Sequence, residues 1–341
     1  MTDHRRIDVH AHYLPPSYYA ALREAGITIL DGGIPVPKWR VEDSLAMMDR
    51  HGIATQMLSV SSPSVYPFEP GEAVRLARAV NEEGAGYAKA HPTRFGLFAT
   101  LPLDDVAAAV AEIEHAFDKL GADGVALMTN ARGVYLGDKK LGPVFDALNA
   151  RKAVVFLHPT SPACFEALAM GRPAPMIEFP FDTTRAATNL VFSGTTQRCP
   201  DIKFILPHAG GTLPFLVQRI VGGNRLSTTP MDPATALAEM RRFYCDTAGS
   251  ANVHAIPALR QLIPVSQVLF GSDYPFTPET GVERSRRRIS SSTAAPCGTA
   301  RGLFAGFSTY PTPKPCRIIF RIRESSKRSP SRSQGLPPAT R

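Results

Sequence analysis

The chain has 341 residues, 44% of them hydrophobic, enough for one large core or two small ones, and no apolar run is as long as a membrane span. Its net charge of +8 is unevenly placed: residues 281–341 carry 13 Lys and Arg against 2 Asp and Glu, whereas residues 1–280 carry 25 against 28. The body is therefore mildly acidic, and a nucleic-acid reading rests on the tail alone, which shows no binding-module pattern.

The first residues, Met1 to Arg6, run straight into a strand with no signal-peptide apolar segment. The five cysteines, Cys164, Cys199, Cys245, Cys297 and Cys316, are scattered and odd in number, which fits a reducing cytoplasm better than a disulfide framework. Strands are expected at 7–12, 55–60, 94–99, 124–128, 153–158, 203–207, 243–246 and 268–272. Amphipathic helices are expected between them, clearest at 70–90, 104–120, 140–151, 183–198 and 253–263. Asp104 and Asp105 place acid at the start of the second of these, and Gly121 ends it. Eight strands with helical crossovers predict a (β/α)8 TIM barrel over residues 1–280. A doubly wound sheet is the alternative, weakened because no Gly-rich dinucleotide or phosphate loop follows any strand.

Two long connections, 13–44 and 159–182, read as walls of a pocket on the active face of such a barrel. After Thr280 the pattern breaks down into Arg-, Ser- and Pro-rich runs such as Arg286-Arg287-Arg288 and Pro311-Thr312-Pro313. Residues 281–341 therefore read as a disordered or aberrant tail, and the helix that a barrel needs after its eighth strand is not recognisable.

Four of the expected strands carry metal-binding side chains at their ends. Ile7-Asp8-Val9-His10-Ala11-His12 puts two imidazoles on one face, because residues two apart in a strand point the same way. Val154 to His158, Phe204 to His208 and Val268 to Asp273 end in further donors. In a closed barrel strands 1 and 8 are neighbours, so Asp273 falls beside His10 and His12, with His158 across the mouth. Three imidazoles and a carboxylate suit zinc, with water as a further ligand, and manganese fits the same donors. His208 is either a fifth ligand or an uncoordinated general acid/base. The second role is preferred, since four ligands are already assigned and proton transfer needs a group that titrates near neutrality. Trp39, the single tryptophan, is a candidate to stack on a substrate ring.

Asp8-Val9-His10-Ala11-His12, Phe156-Leu157-His158-Pro159, Leu206-Pro207-His208-Ala209-Gly210-Gly211 and Gly271-Ser272-Asp273-Tyr274-Pro275 together resemble the amidohydrolase superfamily. Within it, the chain is similar to the branch holding aminocarboxymuconate-semialdehyde decarboxylase and the salicylate- and resorcylate-type decarboxylases. Pro35 and Trp39, with Phe181-Asp182-Thr183-Thr184-Arg185-Ala186, look most like 6-methylsalicylate decarboxylase sequences. The resemblance runs from about residue 6 to 280. It implies a metal-dependent, non-oxidative decarboxylase of a small aromatic or muconate-type acid, without an organic cofactor. His10, His12, His158 and Asp273 match its metal ligands, and His208 its catalytic histidine. Arg219 matches an arginine that reaches the neighbouring subunit's site in such homodimers and holds a substrate carboxylate. Either His208 or Asp273 then handles the proton. Asp273 is the poorer donor, because an adjacent cation keeps its carboxyl ionised. The same ligands also serve a metal-dependent hydrolase of an ester, lactone or amide, which is the second reading. An inactive remnant, with its ligands present but its last helix lost, is a further one.

Overall fold

The computed structural model describes residues 6–283. Eight parallel strands form one sheet in chain order: β1 (Arg6–His12), β2 (Ile53–Ser59), β3 (Phe95–Thr100), β4 (Gly124–Met128), β5 (Val154–His158), β6 (Lys203–Leu206), β7 (Tyr244–Asp246) and β8 (Val268–Leu269). The ends of the sheet meet. Asp8 bridges in parallel to Phe270 and Ala11 to Tyr274, and the Val9 N–H donates to the Phe270 carbonyl at 3.0 Å. The fold is the expected (β/α)8 barrel, and every expected strand lies within two residues of its start.

The core has two layers, as a barrel requires. Alternate strand residues fill the interior, among them Met57, Phe98, Ala126, Phe156, Ile205 and Leu269. The intervening residues pack outward against the helices, as Leu58, Leu97, Val125, Val155 and Leu206 do. Strand β1 is irregular against β2 at two points, between Arg6 and Ile7 and between Asp8 and Ala11, and the second bears on the site. Asp8 pairs with Gln56 and Ala11 with Leu58, so three steps on β1 oppose two on β2. This bulge lets Val9 join the interior layer while His10 still points inward, its ring 4.8 Å from that of Phe156.

The expected helices are present at Pro70–Ala90, Val106–His115, Gly142–Ala150 and Ala255–Leu262. Asp105 caps the second of these, accepting from the Ala108 N–H at 2.9 Å, and a single π turn carries the chain on to Leu120. The helix expected at 183–198 starts earlier and is interrupted, as Glu178–Phe192 followed by Thr195–Arg198. Pro180 lies in its first turn, where a missing N–H has no cost. The connection 13–44 is more ordered than a loop. It folds as the helix Pro16–Glu24, a two-rung hairpin (Ile29–Leu30 with Ile34–Pro35) and the start of the helix Val41–His51. Pro15-Pro16 is a helix start here, with Pro16 at the first helical position.

After β8 the backbone turns helical again from Glu279 to Glu283, and Val282 is buried in the outer core. Pro278 and Glu279 are a helix-start pair, proline then acid, that the basic run following them obscures. The rest of the proposed tail, 284–341, lies outside the described residues.

Candidate metal centre

The bulged end of β1 delivers His10 and His12 to the mouth of the barrel, both buried. His158 ends β5, and Asp273 follows β8 in a left-handed conformation (φ 58°) that turns its carboxylate back over β1. One ligand atom from each of the four residues lies within 4.8 Å of the other three. His10 Nε2 and His12 Nε2 stand 3.4 Å and 3.3 Å from Asp273 Oδ1. Two ligands about 2.1 Å from zinc at tetrahedral angles are about 3.4 Å apart, so these separations match the edges of a coordination shell.

The outer ring nitrogens are all engaged. His10 Nδ1 meets Asp246 Oδ2 at 2.9 Å, His158 Nδ1 donates to the Pro159 carbonyl at 2.8 Å, and His12 Nδ1 lies 3.3 Å from the Ser59 carbonyl. Each partner places the proton on Nδ1 and leaves the Nε2 lone pair facing inward. His10 Nε2 and His12 Nε2 are buried without a hydrogen-bond partner, a costly arrangement for polar atoms that a cation relieves. The donor set fits one divalent metal.

The electrostatics point the same way. Burial opposes charge on His10, but Asp246 and Asp273 outweigh it and raise its pKa to about 10. Burial lowers the pKa of both His12 and His158, the latter well below its ordinary value. Burial favours protonation of Asp273, but the His10 and His12 rings beside it win and hold its carboxyl well below the usual range. The cluster thus holds an ionised carboxylate, one imidazole that favours positive charge and two that stay neutral with lone pairs to offer.

His208 sits beside the cluster and outside the four-ligand set. Its ring centroid is 5.0 Å from that of His10, and its Nδ1 is buried without a partner. Burial and the charge of His10 push its pKa down to about 4. His208 and Ala209 both have positive φ, 54° and 58°, so this turn is held against its local preference.

Asp246, at the end of β7, is the residue that sequence reasoning passed over. Besides His10, it accepts from the backbone N–H groups of His208 at 3.1 Å and Ala248 at 2.9 Å. It therefore ties one of the clustered imidazoles to the turn carrying His208. The signal was present, since the strand expected at 243–246 ends in this carboxylate. Gly271 makes room for the arrangement: a Cβ there would stand 2.9 Å from His10 Cβ and 3.0 Å from Asp246 Oδ1. Asp8 was also overlooked. It accepts from Gln56 Nε2 and from the Ser272 N–H, both at 2.9 Å, and so ties β2 and β8 to β1.

A cavity of about 210 Å³ opens over His158, His208 and Asp273. Both long connections contribute to it: Asp31 and Ile34 from the first, Pro175, Phe179 and Pro180 from the second. Trp39 does not line it. The residue is 6% exposed, and its ring packs edge-on to Tyr87 at 5.2 Å and Tyr13 at 6.1 Å. Arg219 lies exposed on the helix Leu213–Gly223, outside this chain's cavity.

Known proteins are similar to this chain. A decarboxylase of Penicillium terrestre, macB, is 39% identical over 290 residues, covering 80% of this chain and 85% of its own. The 6-methylsalicylic acid decarboxylase of Penicillium expansum is 39% identical over 288 residues, covering 82% and 87%. Among solved structures, a dihydroxybenzoic acid decarboxylase from Polaromonas sp. JS666, holding manganese and 2-nitroresorcinol, superposes with a TM-score of 0.74 at 25% identity, covering 88% of this chain and 96% of that one. The amidohydrolase family model matches residues 7–286, all eight strands and all four clustered ligands, and the chain belongs to that family.

Proposed function

We propose that the protein is a metal-dependent, non-oxidative decarboxylase of a small aromatic carboxylic acid. The observation that carries this reading is the pairing of an N₃O ligand cluster with an uncoordinated histidine, His208, under a largely apolar cavity. Relatives named as 6-methylsalicylic acid and gamma-resorcylate decarboxylases support the reaction class. His10, His12, His158 and Asp273 hold the metal. Zinc suits these donors, and manganese, present in the Polaromonas structure, suits them as well. When bound, the cation would supply Lewis acidity toward substrate oxygens.

The rest is done by the chain. Phe179, Phe276, Ile34 and Pro175 give the ring an apolar seat and exclude water. His208 delivers a proton to the ring carbon that bears the carboxylate. The bond from that carbon to the carboxylate then breaks, its electron pair restores the aromatic ring, and CO₂ leaves. In the free protein His208 is neutral at pH 7, because burial and His10 push its pKa down to about 4. A substrate carboxylate nearby opposes that shift and lets the imidazole take up the proton it donates. Asp273, held well below the carboxylate range, keeps no proton to give and serves as a ligand.

Arg219 acts in this reading from a second copy of the chain, holding the reacting carboxylate in a homodimer. The exposure of Phe215, 85%, on the same helix supports an interface there. No helix among the described residues is long and apolar enough to cross a membrane. Cys164, Cys199 and Cys245 are unpaired, which supports a cytoplasmic setting.

The test is metal content together with CO₂ release from hydroxybenzoic acids, in the wild type and in His208→Asn. The expected result is about one equivalent of metal in both. Only the wild type should release CO₂. Turnover of the variant at the wild-type rate, or release of an acid from esters or lactones with no CO₂, overturns the reading.

A further inference from the structure

Three loops meet at one carboxylate oxygen on the cavity wall. Asp31 Oδ2 accepts from the hydroxyls of Ser62 and Thr160, the latter at 2.7 Å, and from the Ser161 N–H at 2.8 Å. The hairpin tip that carries it is pressed against the second long connection. At Gly32 (φ 78°) a Cβ would come within 2.6 Å of Pro175 Cδ. Asp31 is thus pinned in place rather than free to swing toward solvent. Its other oxygen, Oδ1, has no hydrogen-bond or ion-pair partner among the described residues.

The charge on the cavity wall is one-sided. The lining holds two carboxylates, Asp31 and Asp273, and no lysine or arginine among the described residues. Asp273 is committed to the metal cluster. Asp31 is not, and it lines a space that it shares with Ile34, Phe179 and Phe276 and with the uncharged Ser61, Ser62 and Ser250. One substrate carboxylate finds its counter-charge at the ligand cluster. A second finds no cation on the lining and meets a fixed carboxylate instead. Arg219 of a second copy does not answer it, since in the reading above that arginine holds the carboxylate that leaves.

We propose that Asp31 is a specificity-determining residue that sets the cavity against dicarboxylates and restricts the substrate to monocarboxylic aromatic acids. This rests on the decarboxylase reading and narrows it, separating the aromatic from the muconate-type acids. The charge at Asp31 acts on binding of the second carboxylate, not on the proton transfer at His208. Its effect therefore falls on Kd and KM more than on kcat.

The experiment uses the metal-loaded full chain and two ligands, 2-hydroxybenzoate and 2-hydroxybenzene-1,3-dicarboxylate. Calorimetry gives their Kd values, and CO₂ release gives kcat and KM, for the wild type, Asp31→Asn, Asp31→Glu and Asp31→Ser. The wild type is expected to prefer the monocarboxylate by at least about tenfold, and D31N to reduce that preference by about tenfold, the scale of one charged contact. D31E should keep the preference, and D31S, which removes the charge with a smaller side chain, should lower it as D31N does. An unchanged ratio in a folded, metal-loaded D31N or D31S overturns the proposal. So does a wild type that binds the dicarboxylate as well as the monocarboxylate, or that binds neither. Absence of CO₂ from both acids overturns the decarboxylase reading instead, and the calorimetric ratio still decides the role of Asp31.

Discussion

The two walls of the cavity are built by different means. The metal wall comes from strand ends. His10, His12 and His158 belong to strands whose neighbours fix their direction, and Asp273 lies just beyond β8, its N–H donating to the His10 carbonyl at 2.8 Å. The facing wall comes from loops. Asp31, Ser62, Pro175, Phe179 and Phe276 are far apart in sequence and are gathered by side-chain bonds and packing. A barrel can thus hold its metal chemistry rigidly in the strand layer and change its substrate through the loops. Damage to the first wall should therefore stop the reaction, whereas damage to the second should redirect it.

The largest expected effect is on the metal wall. His158→Ala removes one of four clustered ligands and leaves the other three around an incomplete shell. Bound metal should fall below stoichiometry and turnover should drop by more than about 1,000-fold, the loss of several kcal/mol of charge stabilisation. Metal analysis and CO₂ release check this, and a variant with full metal and full turnover would remove His158 from the site. Trp39→Ala should do the reverse. The residue is 6% exposed and its ring packs between Tyr13 and Tyr87, so its loss should cost about 3–5 kcal/mol of stability while KM stays near wild type. Chemical denaturation measures the first quantity and steady-state kinetics the second. A large KM change in a stable W39A would return the ring to the substrate.

What was legible in the chain follows the same division. Strand-end donors are visible because a period of two and a terminal His or Asp are local signals. The barrel was visible because eight apolar runs alternate with helical patterns. The bulge at Val9 and His10 was not, since its cause is the register against β2 and the closure onto β8. Asp31 was hidden inside a connection that reads as loop, and its place depends on Ser62 and Thr160, 31 and 129 residues away. Trp39 was ambiguous because an aromatic near the active face has no local signal that separates a cavity wall from a core. Asp246 was readable as a strand-end carboxylate, and only its bond to His10 revealed its purpose.

Asp246 stands one layer behind the metal wall, so its expected effect is smaller. In Asp246→Asn the carboxamide can still accept from the His208 and Ala248 N–H groups, but it presents an N–H₂ to His10 Nδ1. His10 then has to accept there, which moves its proton to Nε2, the atom that the metal needs. Metal affinity should fall by about 10–100-fold with the fold intact. Competition with a chelator of known affinity measures it. Unchanged affinity would mean that another group sets the His10 tautomer.

The smallest expected effect lies at the seam where the barrel passes into its last described helix. Glu279 accepts from Arg50 Nη2 at 2.6 Å and Arg50 Nε at 3.1 Å, and lies 3.1 Å from His51 Nε2. These bonds join the helix Val41–His51 to the chain after β8. Hydrogen bonds from Arg50 lower the pKa of Glu279 below its ordinary value of 4.5. A depressed carboxylate stabilises the folded state above its unfolded pKa, and that contribution disappears as pH falls through the folded value. The side chain is 42% exposed, so solvent screens the pair and Glu279→Gln should cost no more than about 1 kcal/mol at pH 7. The gap between variant and wild type should narrow as pH falls below the ordinary value of 4.5. Denaturation midpoints at pH 7 and pH 4 test both parts. A gap that does not change with pH would assign Glu279 a packing role, and no gap at either pH would mean that this seam is held by Val282 and its neighbours rather than by charge.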